Sequence, residues 1–310
     1  MSSQYFRFAA RETSHRRVAL LEQLIARADG WVSVTDWRAE AFRVIAPQAA
    51  MPAVAAAALR ADRAVAAAPV ETGAADAAWV CVATPVHYLA EMTSVRLSED
   101  GMLSLTPAGA ETLAADFNRV WSGSGIRMTA ARSAQLFCVF DRDMQVATRD
   151  PADVLGRHIE EFLPSGADAK RLQQLISETE MWLFEHEANR ARTQLGLPVI
   201  NGLWFWGGGA PIASLPVLQG WVAGDDLFFN SFSVPRDEKL PSGVVAAGCV
   251  PGGAQWHALE SRWLRPAIEQ LRAGRIQRLQ LSAADRCFAL TARGLRRFWR
   301  RAKPWWESFQ

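Results

Sequence analysis

The stretch NGLWFWGGG, residues 201–209, sets three large rings beside three consecutive glycines. Gly207, Gly208 and Gly209 can take positive φ and present successive N–H groups as an anion nest, or simply form a turn. A P-loop would need a lysine and a serine or threonine opening a helix. Here the chain continues Ala210-Pro211-Ile212-Ala213-Ser214, so the run is neither a P-loop nor a dinucleotide fingerprint. Composition by itself favours a plain turn. Upstream, Arg190 and Arg192 lie near His186 and Asn189. The planar fork of arginine suits phosphate or carboxylate. A helix–strand unit can bring Arg192 and the glycines to one mouth. Cations at a helix end also complement the dipole, which is the competing reading.

Other chemistry is sparse. His15, His87, His158, His186 and His257 show no close pairing of the zinc-protease kind. Asp225-Asp226 follows Gly224, and Asp141 and Asp143 bracket an arginine; both pairs read as turns. No serine sits in a G-x-S-x-G elbow, and Ser231 and Ser233 have no evident base. The residues therefore supply no catalytic nucleophile, no acid–base pair, no metal set and no cofactor motif. The C-terminal segment carries Arg293, Arg296, Arg297, Arg300, Arg301 and Lys303, interleaved with Phe298, Trp299, Trp305 and Trp306. Read as a basic amphipathic helix, it could meet nucleic acid, an acidic protein or a membrane surface. Docking of its tryptophans on the parent domain competes with all three, and nucleic acid is disfavoured.

These residues need a scaffold, and the chain has enough apolar material to build one. Half of its 310 residues are hydrophobic. The 34 basic and 32 acidic residues nearly cancel, leaving +2, which selects no polyanionic partner. Cys81, Cys138, Cys249 and Cys287 are widely separated, and a reducing, cytoplasmic compartment without disulfides is expected. The N-terminus is polar and charged, so no signal peptide is expected. No apolar run is long enough to span a membrane.

Residues 1–74 read as a mainly helical region, with helices at 15–28, 35–45 and 52–67. Residues 75–310 read as a mixed α/β or α+β layered domain. Residues 79–82 form a strand candidate that Pro85 should end. SVRLS and GMLSL suggest two strands turning at Glu99-Asp100-Gly101, and Thr106-Pro107 should open a helix to residue 120. AQLFCVF and MQVATR look like a hairpin around residues 141–143. Residues 168–193 predict one long helix, because Leu172, Leu175, Ile176, Trp182 and Leu183 share a face. VINGLWFW follows as a central strand, LFFNSFS as another, then a helix over 255–272 and a hairpin over 275–292.

HEANRARTQLGLPVINGLWFWGGGAP, residues 186–211, resembles a stretch of the archaeal-type, cofactor-independent phosphoglycerate mutases. Asn189, Arg192, Gly196, Pro198, Asn201, Trp204, Trp206, Gly207 and Gly209 occupy matching places, with departures at Glu187 and Val199-Ile200. Over most of the chain, AWVCVATPVHYL, SRWLRPAIEQLRAGRI and LRRFWRR included, the sequence looks similar to the RpfE-type regulatory proteins of proteobacteria. These are themselves phosphoglycerate-mutase-like. The first 70 residues match less distinctly.

The mutases belong to the alkaline-phosphatase superfamily. They use two metal ions held by Asp and His residues from both ends of the chain, and a serine that becomes phosphorylated. The similar part here is the inserted domain, which in the mutases helps bind substrate. No aspartate–serine segment or paired Asp-x-x-x-His set stands at either end. The resemblance thus implies a regulatory pseudoenzyme without mutase activity. A small anionic metabolite would bind at Asn189, Arg192, Asn201, Trp204, Trp206 and Gly207, Gly208 and Gly209, and a regulatory protein would be the macromolecular partner. Two alternatives stand beside it. One is an active mutase or phosphatase whose first suspects are Asp225, Asp226, His186 and His257. The other is a protein or nucleic-acid interaction module acting through the basic tail.

Overall fold

A computed structural model describes residues 2–7, 18–65, 77–232, 241–246, 260–283 and 285–308. The chain opens with β1 (Ser3–Arg7), α1 (Ala19–Arg27), β2 (Gly30–Ser33) and α2 (Trp37–Ile45). Next come α3 (Val54–Val65), β3 (Trp79–Ala90), β4 (Val95–Met102), α4 (Pro107–Val120), β5 (Ile126–Ala130) and β6 (Leu136–Phe140). They are followed by α5 (Ala169–Phe184), α6 (Glu187–Gln194) and β7 (Gly202–Gly209). The last stretch supplies β8 (Trp221–Gly224), α7 (Leu227–Asn230), β9 (Gly243–Ala246), α8 (Arg265–Arg272), β10 (Arg278–Ala283) and β11 (Arg286–Leu290). The architecture is mixed α/β.

Two compact units result: Met1–Met51 with Pro216–Gln310, and Pro52–Leu215. The division therefore differs from the one expected at residue 74, and β1 and β2 correct the mainly helical reading of that region. Pairing between distant strands, not a shift in composition, sets the units. In the first, the sheet order is β2-β11-β10-β1-β9-β8. β1 lies parallel to both β10 and β9, and β8 lies parallel to β9. Phe6, Leu279 and Leu281 meet Leu21 and Leu24 of α1 and Ile268 and Leu271 of α8 in one core.

In the second unit the order is β4-β3-β6-β5, with β7 on the other edge of β3. Cys81, Ala83, Leu203 and Phe205 pack with Leu113 and Phe117 of α4 and Leu172, Leu175 and Leu183 of α5. The Thr106 hydroxyl accepts the Gly109 N–H at 3.1 Å and starts α4 where Thr106-Pro107 indicated.

Several local expectations change. β3 runs through Pro85, because there its neighbour changes from β6, last paired at Ala83, to β4, first paired at Val86. A residue without an N–H fits in that gap. β4 is one strand: its register jumps between Val86↔Met102 and Tyr88↔Leu97, so residues 98–101 bulge instead of turning. β6 pairs with β5, whereas residues 144–149 contribute only a bridge, Ala147↔Ser165. The expected strand at LFFNSFS is instead α7, since the Asp226 carboxylate accepts the Phe228 and Phe229 N–H groups and caps a helical turn. The start of the helix expected over 255–272 lies outside the described residues. Its described part is a π-helical turn, Glu260–Leu264, leading into α8.

Candidate functional site

The mutase-like stretch belongs to the second unit, where the long helix expected over 168–193 is broken into α5 and α6. His186 causes the break. Its ψ of 138° is extended, and its Nδ1 accepts the Ala188 N–H at 3.2 Å, making it the N-cap of α6. The ring is buried, stands edge-to-face on Trp182 at 4.7 Å, and turns Nε2 toward Asp116 at 3.3 Å. With Nδ1 accepting, Nε2 carries the proton and donates to that carboxylate.

Asn189, one turn on, is also buried. Its Nδ2 donates to the Leu183 and Ile200 carbonyls, both at 2.8 Å, and its Oδ1 accepts the Ile200 N–H at 2.7 Å. The amide joins the end of α5 to the chain entering β7. Asn201 repeats the device: Oδ1 accepts the Tyr88 N–H at 2.7 Å and Nδ2 donates to the Tyr88 carbonyl at 2.9 Å. Its side chain extends the β3–β7 ladder where the backbone pairing ends.

Arg192 donates through Nε to the Pro198 carbonyl at 2.6 Å, and more weakly through Nη1 to the Ser104 carbonyl at 3.5 Å. Partial desolvation pulls its pKa below the usual arginine value. Arg190 pairs with Glu187 at 2.9 Å on the exposed side of α6.

The two tryptophans are buried and each indole N–H is satisfied. Trp204 donates to the Arg149 carbonyl at 2.8 Å, and Trp206 to the Thr84 hydroxyl at 2.9 Å. The glycines form neither a turn nor a nest, for all three lie in β7. A Cβ on Gly208 would stand 2.0 Å from the Trp79 indole, and one on Gly209 would stand 2.5 Å from the Ala53 methyl. Gly207 has φ +64°, beside the register shift between Val80 and Val82, and a Cβ there would meet Val54 at 2.9 Å. The triplet makes room for Trp79 and the start of α3.

The eight expected site residues are thus neighbours along one strand and its approach, and seven are consumed in packing and internal hydrogen bonds. Arg192 is half-exposed, with its Nε and Nη1 directed at backbone carbonyls. A nearby cavity of about 10 Å³, lined by Tyr88, Arg149, Phe162, Ile176 and Trp204 among others, is no larger than one water molecule. Beside it, burial and then the Glu180 carboxylate raise the Tyr88 phenol. Burial likewise raises Glu180. Neither group carried a sequence signal, because both shifts come from packing between separate elements.

The remaining suspects divide between the two units and the undescribed residues. Asp226, in the first unit, is buried and pairs with Arg38 at 2.7 Å while capping α7. The Asp225 N–H donates to the Ala246 carbonyl. His186 belongs to the second unit, and His15, His257, Cys249 and Ser233 lie outside the described residues. His87 Nδ1 is 2.8 Å from the Val199 carbonyl. Ser231 donates to the Leu227 carbonyl. No three His, Cys, Asp or Glu side chains cluster within metal-binding reach among the described residues. Cys81, Cys138 and Cys287 are free and buried. Burial pushes the Cys287 thiol up to about 11. Among the described residues, no helix is long and apolar enough to cross a membrane.

Comparison with known proteins points to the same enzymes. The chain is 39% identical over 66 residues to the 2,3-bisphosphoglycerate-independent phosphoglycerate mutase of Methanothrix thermoacetophila, covering 21% of this chain and 17% of that relative. Against the enzyme of the same name from Methanosarcina mazei it is 28% identical over 142 residues, 43% of this chain and 36% of that relative. Part of the chain is therefore homologous to cofactor-independent phosphoglycerate mutases, and the matched part spans well under half the length of these relatives. No family model matches the chain. The solved cofactor-independent phosphoglycerate mutase of Thermoplasma acidophilum superimposes over 94% of this chain and 90% of its own, with a TM-score of 0.37 and 11% identity, a loose likeness.

Proposed function

We propose that this chain is a non-catalytic, regulatory relative of the phosphoglycerate mutases, of the RpfE type. In it, the segment shared with those enzymes has become scaffold. The observation that carries this reading is the side-chain amide of Asn189. Both of its donor contacts and its acceptor contact go to backbone at 2.7–2.8 Å, inside the core. A group used in this way is not available to a phosphate. Asn201 and the two indoles support the same reading by the same logic.

A small anionic metabolite would then meet the protein at Arg192, whose guanidinium is the one charged group of the eight residues. Held by two carbonyls and otherwise half-solvated, it makes a shallow, weak site. Regulation by such a ligand would be binding without turnover.

Calorimetric titration with 3-phosphoglycerate tests the site, with Arg192→Ala as control. Weak binding that disappears in Arg192→Ala supports it. Equal binding by both proteins, or none by either, rejects Arg192 as the contact.

A further inference from the structure

The basic aromatic segment at residues 293–303 is not a helix. It is a single 3-10 turn, Gly294–Arg296, followed by a turn at 298–299 and a bend, and it is fixed to the first unit at three points. Leu295 is buried in the core with α1. Arg297 pairs with Asp29 at 2.9 Å and donates to the Ala28 carbonyl at 2.9 Å. Arg300 donates to the same carbonyl at 3.0 Å. The two arginines thereby satisfy carbonyls that the end of α1 leaves open.

What this anchoring presents is unusual. Phe298 and Trp299 are 78% and 67% exposed, on consecutive residues, although docking on the parent domain was the competing expectation for the tail's tryptophans. Arg293, Arg296, Arg301 and Lys303, on either side of them in sequence, are exposed, and no acidic residue falls within 293–303. Two large apolar rings are thus held in water within a cationic stretch of chain.

The rings choose between the partners that such charge would suit. Phe298 and Trp299 meet edge-to-face, with centroids 5.4 Å apart and planes at 81°. One ring's edge therefore covers a face of the other, which spoils a platform for stacked bases. The pair instead forms a compact wedge. Tryptophan and phenylalanine partition into the interfacial layer of a bilayer, and flanking arginine and lysine meet lipid phosphates there.

We propose that this surface seats on anionic lipid bilayers. Phe298 and Trp299 enter the headgroup layer, while Arg293, Arg296, Arg301 and Lys303 contact lipid phosphates. Arg297 and Arg300 act as positioning residues, holding the wedge rigid so that little ordering is lost on contact.

Vesicle co-sedimentation of the full chain tests this. The protein should pellet with phosphatidylcholine–phosphatidylglycerol vesicles, stay in the supernatant with phosphatidylcholine alone, and be released by added salt. The double variant Phe298→Ala/Trp299→Ala should bind at least about tenfold more weakly. Arg293→Gln/Arg301→Gln should also weaken binding by roughly tenfold or more. All four positions are exposed, and circular dichroism checks that each variant is folded. Failure to pellet with the anionic vesicles overturns the proposal, as does unchanged binding by the ring variant. Capture of a single-stranded oligonucleotide through these residues, with vesicles inert, would assign the surface to nucleic acid instead.

Discussion

Replacing Asn189 by aspartate changes one nitrogen to oxygen and almost nothing in shape, so its effect isolates hydrogen bonding. In the native protein Nδ2 donates to the Leu183 and Ile200 carbonyls at 2.8 Å, with the side chain buried. Aspartate would turn an oxygen toward both. Two carbonyls would lose their donor and face a carboxylate inside the core. At about 1–3 kcal/mol for each buried group left unsatisfied, the loss should be about 2–6 kcal/mol. That is a large fraction of the roughly 5–15 kcal/mol that holds a domain together. Urea unfolding, followed by circular dichroism, should show the midpoint fall with little change in slope. The loss should shrink as the pH falls, because a protonated carboxyl regains one donor. A variant within about 0.5 kcal/mol of the parent at neutral pH would show that these bonds do not hold the fold.

Gly208→Ala places a methyl against the Trp79 indole and should cost about 1–3 kcal/mol; in a double-mutant cycle with Trp79→Phe the two losses should be clearly less than additive. Full additivity in that unfolding series would separate the two residues. Asp226→Ala removes a buried partner of Arg38 together with the α7 cap, and thermal or urea unfolding should register a loss of about 3–5 kcal/mol. Glu180 has its pKa raised by burial, so the folded chain holds that proton more tightly than the unfolded chain. Stability contributed there falls as pH rises from the unfolded glutamate value, about 4.3, through the raised folded value. Glu180→Gln should therefore raise the melting temperature at neutral pH and make no difference in strong acid; a uniform shift at every pH would contradict this.

What could be read in advance depended on how local the cause was. Thr106-Pro107 is a self-contained start signal, and α4 begins there. The strands of the hairpin expected over 275–292 pair as the pattern indicated, β10 with β11. The break between α5 and α6 was hidden because no glycine or proline marks it, and the Asp116 contact that helps hold His186 there is a tertiary fact. β1 was too short to show a period, and its partners lie near the other end of the chain. The glycine triplet was conspicuous, yet its cause, the Trp79 ring and the start of α3, is distant in sequence. Asn189 and Asn201 stood out in the sequence by their resemblance to the mutases. Their role was not legible, because an amide looks the same in sequence whether it faces a ligand or a backbone.

The central claim is that a segment inherited in common with phosphoglycerate mutases serves here as scaffold without turnover. The most direct measurement is incubation of the purified full chain with 3-phosphoglycerate and manganese or magnesium, with the phosphorus spectrum recorded over time. The account predicts an unchanged 3-phosphoglycerate signal. Metal-dependent appearance of 2-phosphoglycerate or free phosphate, abolished by replacing Asp226 or His186 in variants that remain folded, would contradict it.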